Sequence, residues 1–280
     1  MNFKLMLQTS MITFFLGIAI FTGQVTMAQE PLVTEIEFIT HVAADLPEQH
    51  VFVESDADPE QVVRVKGVEA TAALGEPVYA SATAVENDFL ELGPNPLGPF
   101  AKGEPLGFTL EEWLAATGSG TYTLNGDMAE LNISFQNLVP NGVYTMWCSR
   151  IMFAPEFGEE LRACGPADGS QNTFVADGDG NGTFQITMPA LPPSTEDVIS
   201  DIAAAYHSDG QTYGAGPGDF GRVTHVQLFI AEPPPAPESV PAALPQTGGV
   251  GHNAVGLAVI MLIGLLLIGT GWMIQRESYS

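Results

Sequence analysis

Apolar and polar residues alternate strictly in Leu131-Asn132-Ile133-Ser134-Phe135-Gln136, and Phe184-Gln185-Ile186-Thr187-Met188 repeats the pattern. A period of two puts one apolar face against a core and leaves the other wet, which predicts half-buried antiparallel strands. Further strands are predicted at Val62–Lys66, Val78–Val85, Gly120–Leu124, Gly142–Phe153, Asn172–Ala176 and Arg222–Ile230. Pro140-Asn141-Gly142 and the Asp-Gly and Asn-Gly pairs around Asp177 supply turns between them. Thr109 with Glu112 forms a capping box ahead of Leu110, Trp113 and Leu114, and Gly118 can stop the resulting short helix. Ser194–Tyr206 supports two readings. Ile199, Ile202, Ala203 and Tyr206 fit a helix face, while Ile202–His207 fits a strand. The pattern as a whole predicts a mainly β fold: a single antiparallel β-sandwich-like domain over residues 60–230 with one or two short helices. Residues 29–59, whose apolar positions are scattered among acids, read as an irregular acidic leader.

The two ends follow a different pattern. Residues 1–28 combine Lys4, an apolar run from Met11 to Phe21 and the small-residue site Thr26-Met27-Ala28, the three parts of a secretory signal peptide. The run falls short of the roughly 20 residues that span a bilayer, so cleavage before Gln29 is expected. Residues 254–274 carry no charge and are long enough, at about 1.5 Å per residue, to cross a hydrocarbon core of about 30 Å as a transmembrane helix. A tail at 275–280 holds Arg276, which orients the C-terminus toward the cytoplasm and the rest of the chain outward as an ectodomain. Between them, residues 231–247 contain six prolines in 17 positions and read as an extended stalk.

Leu244-Pro245-Gln246-Thr247-Gly248 stands just before the apolar span. With that span and its terminal position, the motif resembles the LPXTG sorting signals of sortase-anchored bacterial cell-surface proteins. The resemblance covers about 35 residues and implies that a sortase-type transpeptidase attacks the Thr247 carbonyl with a cysteine thiolate, releases Gly248 and passes the acyl group to a cell-wall amine. The tail departs from the family, having a single cation beside Glu277 where several are usual. Leu138–Trp147 and Ala205–Gly210 resemble exported bacterial domains without an assigned activity, which implies a shared fold and nothing about chemistry.

The charge balance, 33 acids against 8 Lys and Arg, excludes nucleic acid as a partner because no basic face is available to neutralise phosphates. Cys148 and Cys164 are the only cysteines, and in an exported chain their default is a disulfide. A copper thiolate would need His or Met soon after the ligating cysteine, and neither follows Cys164 within 20 residues. Asp177, Asp179 and Asn181 offer oxygen donors at every second residue, so calcium is the candidate cofactor. Met188 occupies the position where an EF-hand needs its bidentate acid, and a glycine-rich turn explains the same residues. Tyr206, His207, Asp209, Tyr213 and His225 form a candidate ligand loop, in which glycines and aromatics equally serve structural roles. No Gly-x-Ser-x-Gly elbow or His-x-His pair is present.

Three functions are compatible with these features. The first is a surface-anchored binding or adhesion module for an unknown ligand, which predicts an exposed apolar or aromatic patch. The second is an extracellular enzyme or metal-binding domain, which predicts that His207, Asp209 and His225 converge. The third is a structural envelope component, which predicts no pocket and no saturable ligand.

Overall fold

The computed structural model describes residues 30–232 and residue 234. The signal peptide, most of the stalk, Leu244–Gly248, the 254–274 span and the tail lie outside these residues. Among the described residues no helix is long and apolar enough to cross a membrane. The described elements belong to one compact unit.

The chain is mainly β and antiparallel, as the alternation requires. Its main sheet runs in the order β10 (Thr173–Val175), β8 (Val143–Met152), β12 (Val198–His207), β13 (Thr224–Ile230), β1 (Leu32–Ile39), β6 (Thr117–Asn125), β7 (Met128–Gln136), β11 (Gly182–Pro189). β9 (Gly158–Glu160) folds back on β8. The sheet curls until its end strands meet: Phe174 of β10 and Phe184 of β11 lie 6.2 Å apart. Gly182 permits this approach, since a Cβ there would sit 2.7 Å from the Phe174 ring. Inside the curl, Phe38, Tyr122, Leu131, Phe135, Tyr144, Met146, Ile202 and Leu228 form one core. Each such side chain contributes about 1.5–3 kcal/mol by leaving water.

A second, four-stranded sheet has the order β2 (Val53–Ser55), β3 (Asp58–Val63), β5 (Phe100–Thr109), β4 (Pro77–Ser81). With α1 (Gly67–Ala72) and α2 (Leu110–Leu114) it closes a core of Val51, Val65, Val78, Leu110 and Trp113. The predicted capping box is present at α2: Thr109 Oγ1 accepts from the Glu112 N–H, and the Glu112 carboxylate accepts from the Thr109 N–H. Tyr206 touches both cores, 5.6 Å from the Tyr144 ring and 6.1 Å from that of Phe108.

One expectation is corrected and one open reading is settled. Residues 29–59 are not an irregular leader. They supply β1 in the middle of the main sheet, between β13 and β6, and β2 of the second. Glu35 and Glu37 lie on the exposed face of β1 while Ile36 and Phe38 enter the core, so the acids are one half of an alternation. The 194–206 ambiguity resolves as strand β12. Both its faces are covered over Asp201–Ala205, which removes the polar alternation that marks a half-buried strand. β5 also escapes the pattern because Gly103, Pro105 and Gly107 interrupt it and its pairing with β4 is bulged.

Candidate functional site

The register of β8, β12 and β13 decides what each face carries. Tyr144, Met146 and Cys148 point into the main core with Ile202, Ala204 and Leu228. By alternation Thr145, Trp147, Ser149 and Ile151 share the other face with Asp201, Ala203, His207 and Val226. Glu159 of β9 and the following Leu161 extend that face, because Glu159 stands opposite Ile151. Over it lie His41 and Leu46 from the β1–β2 connection, Asn87 and Phe89 from the β4–β5 connection, and Phe220, leaving a cavity of about 80 Å³. A single water needs only about 10–15 Å³, so this volume admits a small organic group.

The cavity is largely apolar, with two acids in its wall. Asp201 is 9 % exposed, and its Oδ2 accepts from the Ser149 hydroxyl at 3.4 Å. Burial, and next the charge of Glu159, pushes Asp201 up to about 7. Burial also raises Glu159, against an opposing hydrogen bond of 3.1 Å from the Asn87 amide to its Oε2. Phe89 of the lining meets Phe157 at 5.6 Å, and Phe157 meets Phe153 at 6.4 Å. Phe153 and Phe157 are each 38 % exposed, and Leu92 on the neighbouring loop is 64 % exposed.

Two devices hold this architecture. Arg64, buried, donates to three backbone carbonyls: Nε to Gln49, one terminal nitrogen to Pro96 and the other to Glu86. It thereby pins both ends of the loop that carries Asn87 and Phe89. The Cys148–Cys164 disulfide is present, with Cα atoms 5.0 Å apart. It ties β8 to the chain after β9, so it fixes the wall formed by Glu159 and Leu161.

The two histidines of the candidate ligand loop do not share a face, although His207 lies 5.9 Å from the Tyr213 ring and His225 5.9 Å from the Tyr206 ring. Tyr206 stands opposite His225 and His207 opposite Thr224, so the two histidines face opposite sides of the sheet. Asp209 is engaged by the Tyr213 hydroxyl. His207 is 1 % exposed, and burial, partly offset by Asp209, lowers it to about 4. Its Nε2 lies 2.7 Å from Thr145 Oγ1, which in turn accepts from Trp147 Nε1 at 2.7 Å. Thr224 Oγ1 gives its hydrogen to the Pro217 carbonyl and so accepts from His207 Nδ1–H at 3.4 Å, which leaves Nε2 to accept from the Thr145 hydroxyl.

His225 is fixed in the opposite sense. Its Nδ1 lies 2.6 Å from the His50 carbonyl, which can only accept, so Nε2 accepts from the Ser208 hydroxyl at 3.0 Å. Ser208 borders a groove with Lys102, Asp209 and Arg222. The polarity is that of a serine beside its base. Burial, only partly offset by the His50 carbonyl, lowers His225 to about 4, too weak a base to drive such chemistry near neutrality.

Between the sheets, Glu48 and His50 are wholly buried. Burial pushes Glu48 up to about 7, against hydrogen bonds from the His50 and Gln49 N–H groups. His41, 3.8 Å from Glu48, is lowered to about 3 by burial and then by Arg64.

The Asp177 carboxylate caps its own turn: Oδ1 accepts from the N–H of Asp179 at 2.9 Å and of Asn181 at 2.8 Å. Those bonds lower its pKa, with the Asn181 N–H first among the causes. The turn reading accounts for this carboxylate. Among the described residues no group of three or more His, Cys, Asp or Glu side chains is arranged to hold a metal.

No family model matches the chain, and no curated protein matches it. The cavity residues Asp201, Glu159, Trp147 and Phe89 were not legible as a site, because they come from four segments that only the sheet register and the loop covering it bring together.

Proposed function

We propose that this chain is an exported, cell-surface-anchored binding module, whose sandwich-like domain is displayed on the 231–247 stalk and sorted through Leu244–Gly248. The observation that carries the binding role is Phe89, which belongs both to the cavity wall and to the exposed aromatic cluster with Phe157 and Phe153. Apolar surface thus continues from solvent into an enclosed space, the arrangement by which a domain captures an apolar group. The acidic, stalked character fits presentation at a hydrated surface.

The enzyme reading has less support. Its residues face opposite sides of a sheet, and both its histidines are occupied by hydroxyl and backbone partners.

Titration of the segment Gln29–Pro237 with a neutral apolar compound such as 3,3-dimethylbutan-1-ol, read by the emission of Trp147 in the cavity wall, tests the binding role. Saturable binding that Phe89→Ser weakens about tenfold is expected, in line with loss of a buried aromatic contact. A linear, unsaturable response in the wild type would favour a purely structural envelope role.

A further inference from the structure

We infer that the cavity takes a small organic ammonium ion, held by the carboxyl pair of Asp201 and Glu159 between the aromatic walls of Trp147, Phe89 and Phe220. The inference rests on the binding reading above and adds the charge of the ligand.

Three observations point to a cation. Asp201 is nine-tenths buried and lines the cavity, yet no ion pair among the described residues includes it or Glu159. Arg150, on the neighbouring strand, turns to Glu160 instead, at 3.6 Å. Buried carboxyls in an apolar wall are costly unless something pairs them. Trp147, Phe89 and Phe220 also line the cavity, and ring faces attract ammonium groups most strongly where water is excluded. Finally, Asn87 belongs to the cavity lining, and its Oδ1 is buried without a hydrogen-bond partner while its amide nitrogen is committed to Glu159. That oxygen is an acceptor for an N–H or a polarised methyl group.

The surroundings reject the alternatives. An anion would meet both acids. A bare divalent ion would find two carboxyls and an apolar wall where it needs six or more oxygens. The remaining titratable group facing the cavity is His41, buried and held neutral, with Glu48 and Arg64 behind it. It adds no positive charge to oppose a cation. Because burial favours the protonated acids, a cation that favours their ionised forms displaces protons, and its binding strengthens as pH rises.

The test compares choline with its uncharged carbon isostere, 3,3-dimethylbutan-1-ol, on the segment Gln29–Pro237 by calorimetry in buffers of different ionisation enthalpy. Its cores close among its own residues. Choline should bind about tenfold tighter than the isostere near pH 8, and its binding should release protons as the pH is lowered to 7 and below, where Asp201 is protonated in the free protein. That preference should shrink severalfold near pH 5.5. Asp201→Asn should abolish it, and a cooperative thermal unfolding transition retained by the variant shows that it is folded. Equal affinity of the two compounds near pH 8 would overturn the ammonium assignment and leave the binding role standing. Displacement of choline by an equal concentration of potassium would overturn it in favour of a bare cation. Failure of both compounds to saturate would remove the binding role at this cavity and the inference with it.

Discussion

The His207 imidazole and the Trp147 indole are joined through one hydroxyl, since Thr145 Oγ1 lies 2.7 Å from His207 Nε2 and 2.7 Å from Trp147 Nε1. The chain runs on from His207 Nδ1 through Thr224 Oγ1 to the Pro217 carbonyl. A residue that reads in the sequence as a ligand donor therefore orients the aromatic wall of a cavity. His207→Ala should leave Thr145 and Thr224 short of a partner and destabilise the fold by about 1–3 kcal/mol. Denaturant unfolding gives that number, and a shift in Trp147 emission should accompany it. Unchanged emission would show that the indole is positioned without this chain.

Asp201 imposes a pH dependence of definite sign. Its folded pKa, pushed up to about 7 by burial and then by Glu159, exceeds its ordinary value of 3.8. Its contribution to stability is thus fully present below about pH 4 and is lost as pH rises toward 7. Asp201→Asn should remove that loss, so the variant gains on the wild type by roughly 2 kcal/mol or more between these limits. The buried His41, His207 and His225 act oppositely: burial lowers them to about 3, 4 and 4, so their contribution is present above pH 6.5 and is lost as pH falls. Stability curves of wild type and variant that stay parallel from pH 4 to 7 would contradict the assignment to Asp201.

Reduction of Cys148–Cys164 opens a loop defined by a sequence separation of 16 residues. The unfolded chain gains freedom worth about 3 kcal/mol. A Cys148→Ala/Cys164→Ala variant should lose stability of that order and bind the cavity ligand more weakly, because the Glu159–Leu161 wall hangs from this bridge. Full ligand affinity in the variant would separate the disulfide from the site.

Asp177→Ala should cost about 1 kcal/mol, the usual worth of a side chain that satisfies backbone N–H groups at a turn. The loss should be the same in calcium and in chelator. A calcium-dependent difference in unfolding temperature that the substitution abolishes would instead make this turn an ion site.

Thr247→Ala, outside the described residues, tests the display reading in cells that contain a sortase. Wall-linked protein should disappear, because the acyl-transfer step requires the Thr247 motif. An unchanged wall-linked fraction would defeat the sorting proposal.

Where one face of a strand is buried and the other wet, alternation declares it, and β7 and β11 were legible in this way. The capping box of α2 was legible because its four residues are local. The disulfide needed only the count of cysteines and the expectation of export. β1 was hidden because its acids look like a solvated run until a neighbouring strand gives them a face. β12 was hidden because both its faces are covered over much of its length, which leaves a nearly continuous apolar stretch.

The sequence by itself determined the antiparallel β class, the helix start at Thr109, the strongly acidic character and the expectation of an exported, anchored chain. Only the tertiary structure decided where the chemistry lies. Register set Asp201 beside Ser149 and Glu159 beside Ile151, put His207 and His225 on opposite faces, and brought Phe89 over Trp147 from another part of the chain. Local spacing carries the period of a strand, but not which strands pair. A one-residue slip in that pairing exchanges every face.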